Sequence, residues 1–358
     1  MTIFRVIVYA LASFTIAGTF LPFMRTDHWW VRIFDFPRAQ FLLFAIILTG
    51  LLALTFRSAK TADLLFTGGL LLVALIQAWH IHPYTRIAQQ QVKDAKDVRE
   101  RITVFVANVL QENRRAEDLL KEIAKSDPDI ILLTETDRWW TERLSDLERS
   151  HPHTVLHPLD NTYGMNLYSR FAVIGPEVRT LIDPTIPSIR THLQLESGRK
   201  ILFYGVHPLP PGIEHPHLKE RQDSDQRDAE LVVIAKEVDD LEVPIIIAGD
   251  FNDVAWSHTT RLFQRTSRLL DPRVGRGFYN SFNAKSRFFR YPLDHLFHSD
   301  HFTLIHMERM AYFGSDHFPI QVSLNLEPEA RAEQEAPPKK AGDEKEAQEI
   351  LKRPAEKD

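Results

Sequence analysis

The first eighty residues hold three long stretches without a charged side chain: Val6 to Met24, Ala39 to Phe56 and Leu64 to Trp79. A bilayer-spanning helix needs about 20 mostly apolar residues, with roughly 17 as a lower limit. The first stretch meets this, the second is close, and the third does so by borrowing flanking residues. A signal peptide starting at Arg5 is the rival for the first. No clear small-x-small cleavage site follows it, however, and two further apolar runs come after. Buried core helices are the rival for the other two. Residues 1–82 are therefore expected to be a membrane anchor of about three transmembrane helices, with the lipid bilayer as a partner. Trp29, Trp30 and Trp79 suit the membrane interface.

Three spans place the N-terminus and the Arg57/Lys60 loop on one side. The Arg25/Arg32/Arg38 loop lies on the other, together with everything after Trp79. Basic residues occur on both sides. Arg5, Arg57 and Lys60 sit in very short segments, where the positive-inside rule carries most weight. The soluble part is accordingly expected on the extracytoplasmic face of an inner or plasma membrane.

Residues 83–100 are polar and read as a helical stalk. The composition then changes, and residues 101–326 read as a domain of buried strands and amphipathic helices. Arg101 to Val106, Ile130 to Thr134, Gly164 to Ser169, Val173-Ile174, Thr191 to Leu195, Ile201 to Val206, Ile245 to Ala248, Pro292 to Phe297 and Ile320 to Leu326 carry strand signals. Ala116 to Lys125 and Lys219 to Leu241 read as helices. This pattern predicts an α/β protein, an α+β four-layer sandwich in which two packed β-sheets are flanked by helices. After Leu326 the chain loses almost all aromatic and β-branched residues, and 327–358 are expected to form a disordered charged tail.

The centre of the domain is Ile245-Ile246-Ile247-Ala248-Gly249-Asp250-Phe251-Asn252. Five apolar or small residues make a core strand, Gly ends it, and Asp250 and Asn252 follow on the same side of an extended chain. Ionised groups are costly core material, so the pair is either an Asx turn or a site. Other buried strands end at Asn108, Glu135 and His207. Polar residues from distant segments thus collect at one end of a layered sheet structure, where a site is expected.

These pieces resemble the endonuclease/exonuclease/phosphatase superfamily, the deoxyribonuclease I-like fold, in a membrane-anchored, bacterial-type form. The residues that carry the likeness are Asn108, Glu135 in Leu-Thr-Glu-Thr, and Tyr163-Gly164-Met165-Asn166-Leu167-Tyr168-Ser169-Arg170. His207, Gly249-Asp250-Phe251-Asn252, Leu293-Asp294-His295 and Ser315-Asp316-His317-Phe318-Pro319 follow in the family's order, from about Arg101 to Leu326. A phosphodiester resists attack, so an enzyme must neutralise charge, position a water and stabilise the leaving oxygen. Hard oxygen ligands without Cys suit Mg²⁺ or Mn²⁺. Glu135 leads as a ligand, with Asn108 and Asp316. A helix-capping role for Glu135 and an Asx-turn role for Asn108 stay open.

The resemblance implies that Asp250 orients or deprotonates the attacking water and that Asn252 holds a phosphoryl oxygen. It implies an Asp294–His317 pair with the imidazole on the phosphate, and His207 as a second imidazole. A satisfied core histidine is the rival reading for His207. Tyr163 and Arg190 are substrate-binding candidates, with packing as the rival for Tyr163. His295 should face the other side of its strand from Asp294.

The expected activity is hydrolysis of a phosphodiester, of nucleic acid first, with a phospholipid or sphingomyelin-type substrate or a phosphatase reaction as the alternative. A catalytically silent binding module on the same fold is the rival from another class. The chain has no Cys, which excludes disulfides, thiolate metal sites and a Cys nucleophile. Its net charge of -5 does not decide between partners. His151, His153, His157, His215 and His217 read as loop histidines rather than zinc ligands. Between Arg261 and Arg290 basic and aromatic side chains interleave, which suits a polyanion, anionic headgroups or a solvated basic face.

Overall fold

The computed structural model describes residues 2–54, 60–212 and 222–357. Arg57, His215, His217 and the expected helix start at Lys219 lie outside the described residues. The N-terminal part holds α1 (Thr2–Phe20), the short α2 (Trp29–Arg32), α3 (Arg38–Ala53) and α4 (Thr61–Ile81). Polar contacts pin α1 and α4 side by side and parallel. Arg5 and Tyr9 meet Asp63 near their starts, and Thr19 accepts a hydrogen bond from Gln77 near their ends. Between those ends the contacts are apolar: Val8, Ala12, Ala45, Leu48, Leu70 and Val73 are buried together.

The outside of this bundle is as apolar as its inside. Leu65 is 72% exposed, Leu75 70% and Val6 61%, the inverse of a water-soluble helix bundle. Ile3–Met24 and Thr61–Tyr84 are long and apolar enough to cross a membrane. The middle segment is different: α3 has 16 residues, and it meets the Trp29–Asp35 helical stretch at a 69° bend. At 1.5 Å per residue it spans about 24 Å, so it becomes a third span only when the bent pair counts as one.

The second part is a sandwich. Its strands are β1 (Arg101–Asn108), β2 (Ile130–Thr134), β3 (His153–His157), β4 (Met165–Ser169), β5 (Ala172–Thr180), β6 (Pro187–Gln194), β7 (Lys200–Val206), β8 (Ile245–Asp250), β9 (Asp294–His298), β10 (Phe302–Arg309) and β11 (Ile320–Leu326). One sheet has the order β10-β11-β1-β2-β4-β3 and the other β5-β6-β7-β8-β9. Each sheet has one parallel pair, β1–β2 and β7–β8, and is otherwise antiparallel. Both faces of the central strands are covered, which is why they read as continuous apolar runs. Val104, Val106, Leu132, Phe203, Ile246 and Leu296 fill the space between the sheets. The sheets are pressed close at Gly205, where an added Cβ would stand 2.7 Å from Leu132.

Helices close the outer faces. Leu119 and Ile123 of α5 (Ala116–Ser126) and Trp140 of α6 (Arg138–Arg143) cover Phe105, Ile131 and Leu133. Leu231 and Ala235 of α7 (Asp225–Val238) and Phe263 of α8 (His258–Ser267) cover Tyr204, Val206 and Ile247.

Two expectations fail. The segment 83–100 is not a helical stalk, because Pro83 stops α4 and the chain then lies along the sandwich. Val92 is fully buried in the inter-sheet core. Lys93 and Ala95 exchange backbone hydrogen bonds with Leu304 at 2.9 and 2.8 Å. The charged tail is not disordered either: it carries α9 (Asp343–Lys357). Ala347 and Ile350, three apart and so on one helical face, pack on Ala229, Val232 and Leu262. Arg265–Asp343, His258–Glu346 and Lys236–Glu344 fix its flanks. A stripe of two apolar residues is too narrow to stand out in a composition so rich in charge.

Candidate active site

The two parallel pairs run to the same rim. Asn108 pairs with Thr134 at the end of β1–β2, and Val206 with Gly249 at the end of β7–β8. Glu135, His207, Asp250 and Asn252 therefore emerge together at the carboxyl ends of neighbouring strands, the usual location for a ligand in α/β sheets.

Asn108 joins the sheets. Its Nδ2 donates to Glu135 Oε1 at 2.7 Å and to Asp250 Oδ2 at 3.0 Å, and its Oδ1 accepts from the Leu110 amide at 2.9 Å. The other Glu135 oxygen accepts from the Gln111 amide at 3.2 Å. Asp250 Oδ2 also lies 3.5 Å from His317 Nε2 and 3.8 Å from His207 Nε2. His317 Nδ1 stands 2.7 Å from Asp294 Oδ2, so the imidazole is suspended between two carboxylates.

Backbone geometry holds these groups. Glu135 and Asn252 occupy the left-handed region, at φ 62° and 50°, where non-glycine residues are uncommon and cluster at sites. Gly249 is required: its φ is 144°, and a Cβ there would sit 1.9 Å from the Val206 carbonyl oxygen. Gly164 lets the Glu135 turn close, since its Cβ would meet the Thr136 oxygen at 1.8 Å.

Burial sets the electrostatics. It pushes Glu135 up to about 7 and raises Asp250. It pushes His207 down to about 4, leaving a neutral ring whose Nδ1 is buried without a hydrogen-bond partner among the described residues. Burial also opposes charge on His317, but Asp294, Asp250 and Asp316 outweigh it and raise that imidazole to about 10.

The rim thus gathers Asn108, Glu135, His207, Asp250, Asn252, Asp294 and His317. Asp316 is half-buried beside them, 3.5 Å from Ser315 Oγ. The Tyr163 ring stands 5.3 Å from that of His207, packed with Ile186 and Leu209. The side-chain amide of Asn252 donates to the Pro208 carbonyl at 2.9 Å. Its backbone amide donates to Asp250 Oδ1 at 2.9 Å. Arg190 is not at the rim. On β6 it faces outward, held by Tyr204 Oη at 3.1 Å and Glu177 at 3.3 Å. Strand alternation turns it toward α7, the helix that covers Tyr204. His295 points away from Asp294, onto the Asp253 carbonyl and Arg273.

Several supporting residues carry no sequence signal of their own. Ser315 Oγ donates to the Asn108 carbonyl at 2.8 Å and accepts from the His317 amide at 3.0 Å, tying the last loop to β1. Ser281 Oγ accepts from the Leu293 and Asp294 amides. Arg227 donates to the Asn252 carbonyl at 2.8 Å and lies 3.4 Å from Asp253. Arg32, the last residue of α2, reaches Asp253 at 3.8 Å and Thr259 at 2.9 Å.

The residues suit a hard divalent cation. Asp250 is a buried carboxylate and Glu135 a half-buried one, both raised first of all by desolvation, and among the described residues Asp294 Oδ1 is buried without a hydrogen-bond partner. Asp250, Asp294 and His317 also bring three N and O atoms within 4.8 Å of one another, but a protonated His317 has no lone pair to give, which leaves Glu135, Asn108 and Asp316 as the ligand candidates. An oxygen-rich donor set without thiolate matches Mg²⁺ or Mn²⁺.

The sequence profile described as "Endonuclease/Exonuclease/phosphatase family" matches residues 105–317. No curated protein matches the chain significantly. Among solved structures, the chain is similar to D. rerio TDP2 complexed with single strand DNA product: 17% identity, TM-score 0.51, covering 63% of this chain and 99% of that one. It is also similar to the human Nocturnin catalytic domain with bound sulfate anion: 19% identity, TM-score 0.50, covering 64% and 96%. At such identities the likeness is one of fold.

Proposed function

The chain belongs to the endonuclease/exonuclease/phosphatase family, and on that premise we propose that it is a membrane-anchored, divalent-metal-dependent phosphodiesterase. The observation that carries this reading is the suspension of His317 between Asp294 and Asp250, with Asn108 bridging Asp250 to Glu135.

In this reading Asp250 accepts the proton of the attacking water and aims its oxygen at phosphorus. Asp294 fixes the ring orientation of His317 and keeps it cationic, so that it presents a positive N–H to the phosphoryl oxygens. His207, neutral and beside Asp250, hydrogen-bonds a phosphate or leaving-group oxygen. The second Nδ2 hydrogen of Asn252, the one not given to Pro208, holds a phosphoryl oxygen, and Tyr163 buttresses His207. A bound Mg²⁺ or Mn²⁺, on Glu135 with Asn108 and Asp316, would supply Lewis-acid charge neutralisation at the phosphate.

Nucleic acid is the first substrate reading, supported by the fold shared with TDP2, whose structure holds a single strand DNA product. A lipid phosphodiester is the second, supported by the exposed apolar flanks of α1, α3 and α4. These helices would hold the catalytic part on the extracytoplasmic face of the membrane, which protease treatment of intact cells tests: resistance to shaving would reverse the orientation.

The test of activity is the purified full-length protein in detergent, given bis-p-nitrophenyl phosphate, DNA, RNA and sphingomyelin, with Mg²⁺ or with chelator. Hydrolysis that requires Mg²⁺ is expected. Equal turnover with chelator would overturn metal dependence, and no turnover of DNA or RNA would remove the nuclease reading.

A further inference from the structure

The basic and aromatic stretch that ends at Arg290 does not lie loose on the surface. It folds back against the start of α3. Gln40 Nε2 donates to the Phe288 carbonyl at 2.8 Å, the rings of Phe44 and Phe288 are 6.2 Å apart, and Phe36 meets Tyr291 edge-on at 5.4 Å. Between this loop and α3 lies a cavity of about 350 Å³. Gln40 and Leu43 form its floor on the anchor side, and Phe278 and Tyr291 wall it on the other.

Its charged lining consists of Arg287, Arg290 and Arg309, with no carboxylate. Among the described residues none of the three has an ion-pair partner. Arg290 and Arg309 stack on the same ring, with guanidinium carbons 5.0 and 4.3 Å from the Phe318 centroid. Two like charges on one ring repel, and burial together with Arg290 pulls the Arg309 pKa down. Elsewhere in this molecule buried arginines are neutralised: Arg38 by Asp35, Arg273 by Asp271, Arg227 by Asp228. Here Arg290 and Arg309 are half-buried and Arg287 is exposed, and among the described residues no carboxylate pairs with them. Arg290 and Arg309 are held in place, by the Ser286 carbonyl at 2.5 Å and the Asn280 carbonyl at 3.1 Å.

The location identifies the anion. The cavity sits at the first turns of α3, where an apolar helix leaves the extramembrane part. Phe288 and Phe289 project beside it, 45% and 53% exposed. Aromatic residues next to cationic ones at a helix end are the pattern of a headgroup-level site. Arginine forks suit phosphate oxygens. We infer that this cavity binds the phosphate group of an anionic phospholipid, with its acyl chains along the outer face of α3 and its phosphate on Arg287, Arg290 and Arg309. The inference rests on reading α1, α3 and α4 as membrane-embedded and is independent of catalysis. Phe282, whose ring is 5.0 Å from that of His317, and Phe318, next to His317 in sequence, make the cavity a neighbour of the rim.

The test is native mass spectrometry of the full chain in detergent, with chelator present so that no turnover occurs. Dioleoylphosphatidylglycerol and dioleoylphosphatidylcholine are supplied together. Preferential retention of the anionic lipid is expected, falling about fivefold for each guanidinium removed, in Arg290→Gln/Arg309→Gln and in Arg287→Gln. Arg287 is exposed and makes no hydrogen bond or ion pair among the described residues, so its removal leaves the fold intact. Equal retention of the two lipids, or wild-type retention by both variants, overturns the site. Displacement of the lipid by inorganic phosphate alone, with no preference for the lipid form, reduces it to a soluble-phosphate site. Displacement by single-stranded DNA at lower concentration assigns the patch to nucleic acid instead. Sedimentation of the wild-type protein with cell membranes checks the anchor separately: a soluble wild type would sink the membrane premise whatever the lipid result.

Discussion

The strand-end rim and the cavity at α3 are opposite electrostatic designs a short distance apart. At the rim, carboxylates outnumber cations, and desolvation raises Glu135 and Asp250 by more than the His317 cation lowers them. The cavity is lined by three guanidinium groups, two half-buried and one exposed, and by no acid. Burial is costly for either sign unless a counter-charge arrives. The rim therefore calls for a cation, the cavity for an anion. The difference teaches that unpaired charge, more than charge itself, marks where a ligand belongs. Arg265–Asp343 and Arg179–Glu237 are as strongly charged, but each is closed on itself.

The contrast can be broken or sharpened in steps. Asp250→Asn should lower turnover of bis-p-nitrophenyl phosphate by about 10² to 10⁴-fold, the scale of a lost general base. Wild-type rates in that variant would leave the rim without a catalytic reading. Arg32→Met removes the cation set between the buried Asp35 and Asp253 and should destabilise the protein by about 3 kcal/mol, as breaking a buried pair does. Chemical denaturation of the full chain reads this, and an unchanged midpoint would show that Arg227 suffices for Asp253.

The third step concerns metal. Glu135 is raised from 4.5 to about 7. Its ionisation is therefore a cost that begins as pH rises past its ordinary value and is complete above 7. A bound cation offsets that cost. Mg²⁺ should raise Tm more at about pH 8 than at about pH 5.5, and Glu135→Gln should flatten the difference. A Tm gain that is equal at both pH values would place the metal elsewhere. The smallest effect is expected for Arg190→Ala, which removes a half-exposed pair with Glu177. Turnover should stay within about twofold of wild type, in line with the modest worth of surface pairs; a large loss would return Arg190 to the site.

What the sequence reveals follows from how each element meets its environment. β1, β2, β7 and β8 are buried on both faces, so their β-branched runs stand out, and the polar residues that end them mark the rim. β3 (His-Thr-Val-Leu-His) is only partly buried, and β10 is broken by a register shift between Leu304 and His306; neither has a run to read. Arg190 misled because spacing does not reveal which face of a strand a site uses, and this site uses ends rather than faces. Contacts such as Arg32–Thr259, 227 residues apart, leave no trace in local pattern. The same holds for Val92, an apolar residue in a polar stretch that gives no hint of being core.

The salt link from Arg32 to Asp253 has an evolutionary corollary. A purely lipophilic tether could be exchanged for any other greasy segment at no cost to the chemistry it carries. This one could not, because it lends a cation to the loop that follows Asn252. On the proposed reading, grafting an unrelated hydrophobic leader in its place would keep the chain at the bilayer yet leave Asp253, three residues past Asp250, with Arg227 as its remaining cation, so the two halves of the gene are bound to change together.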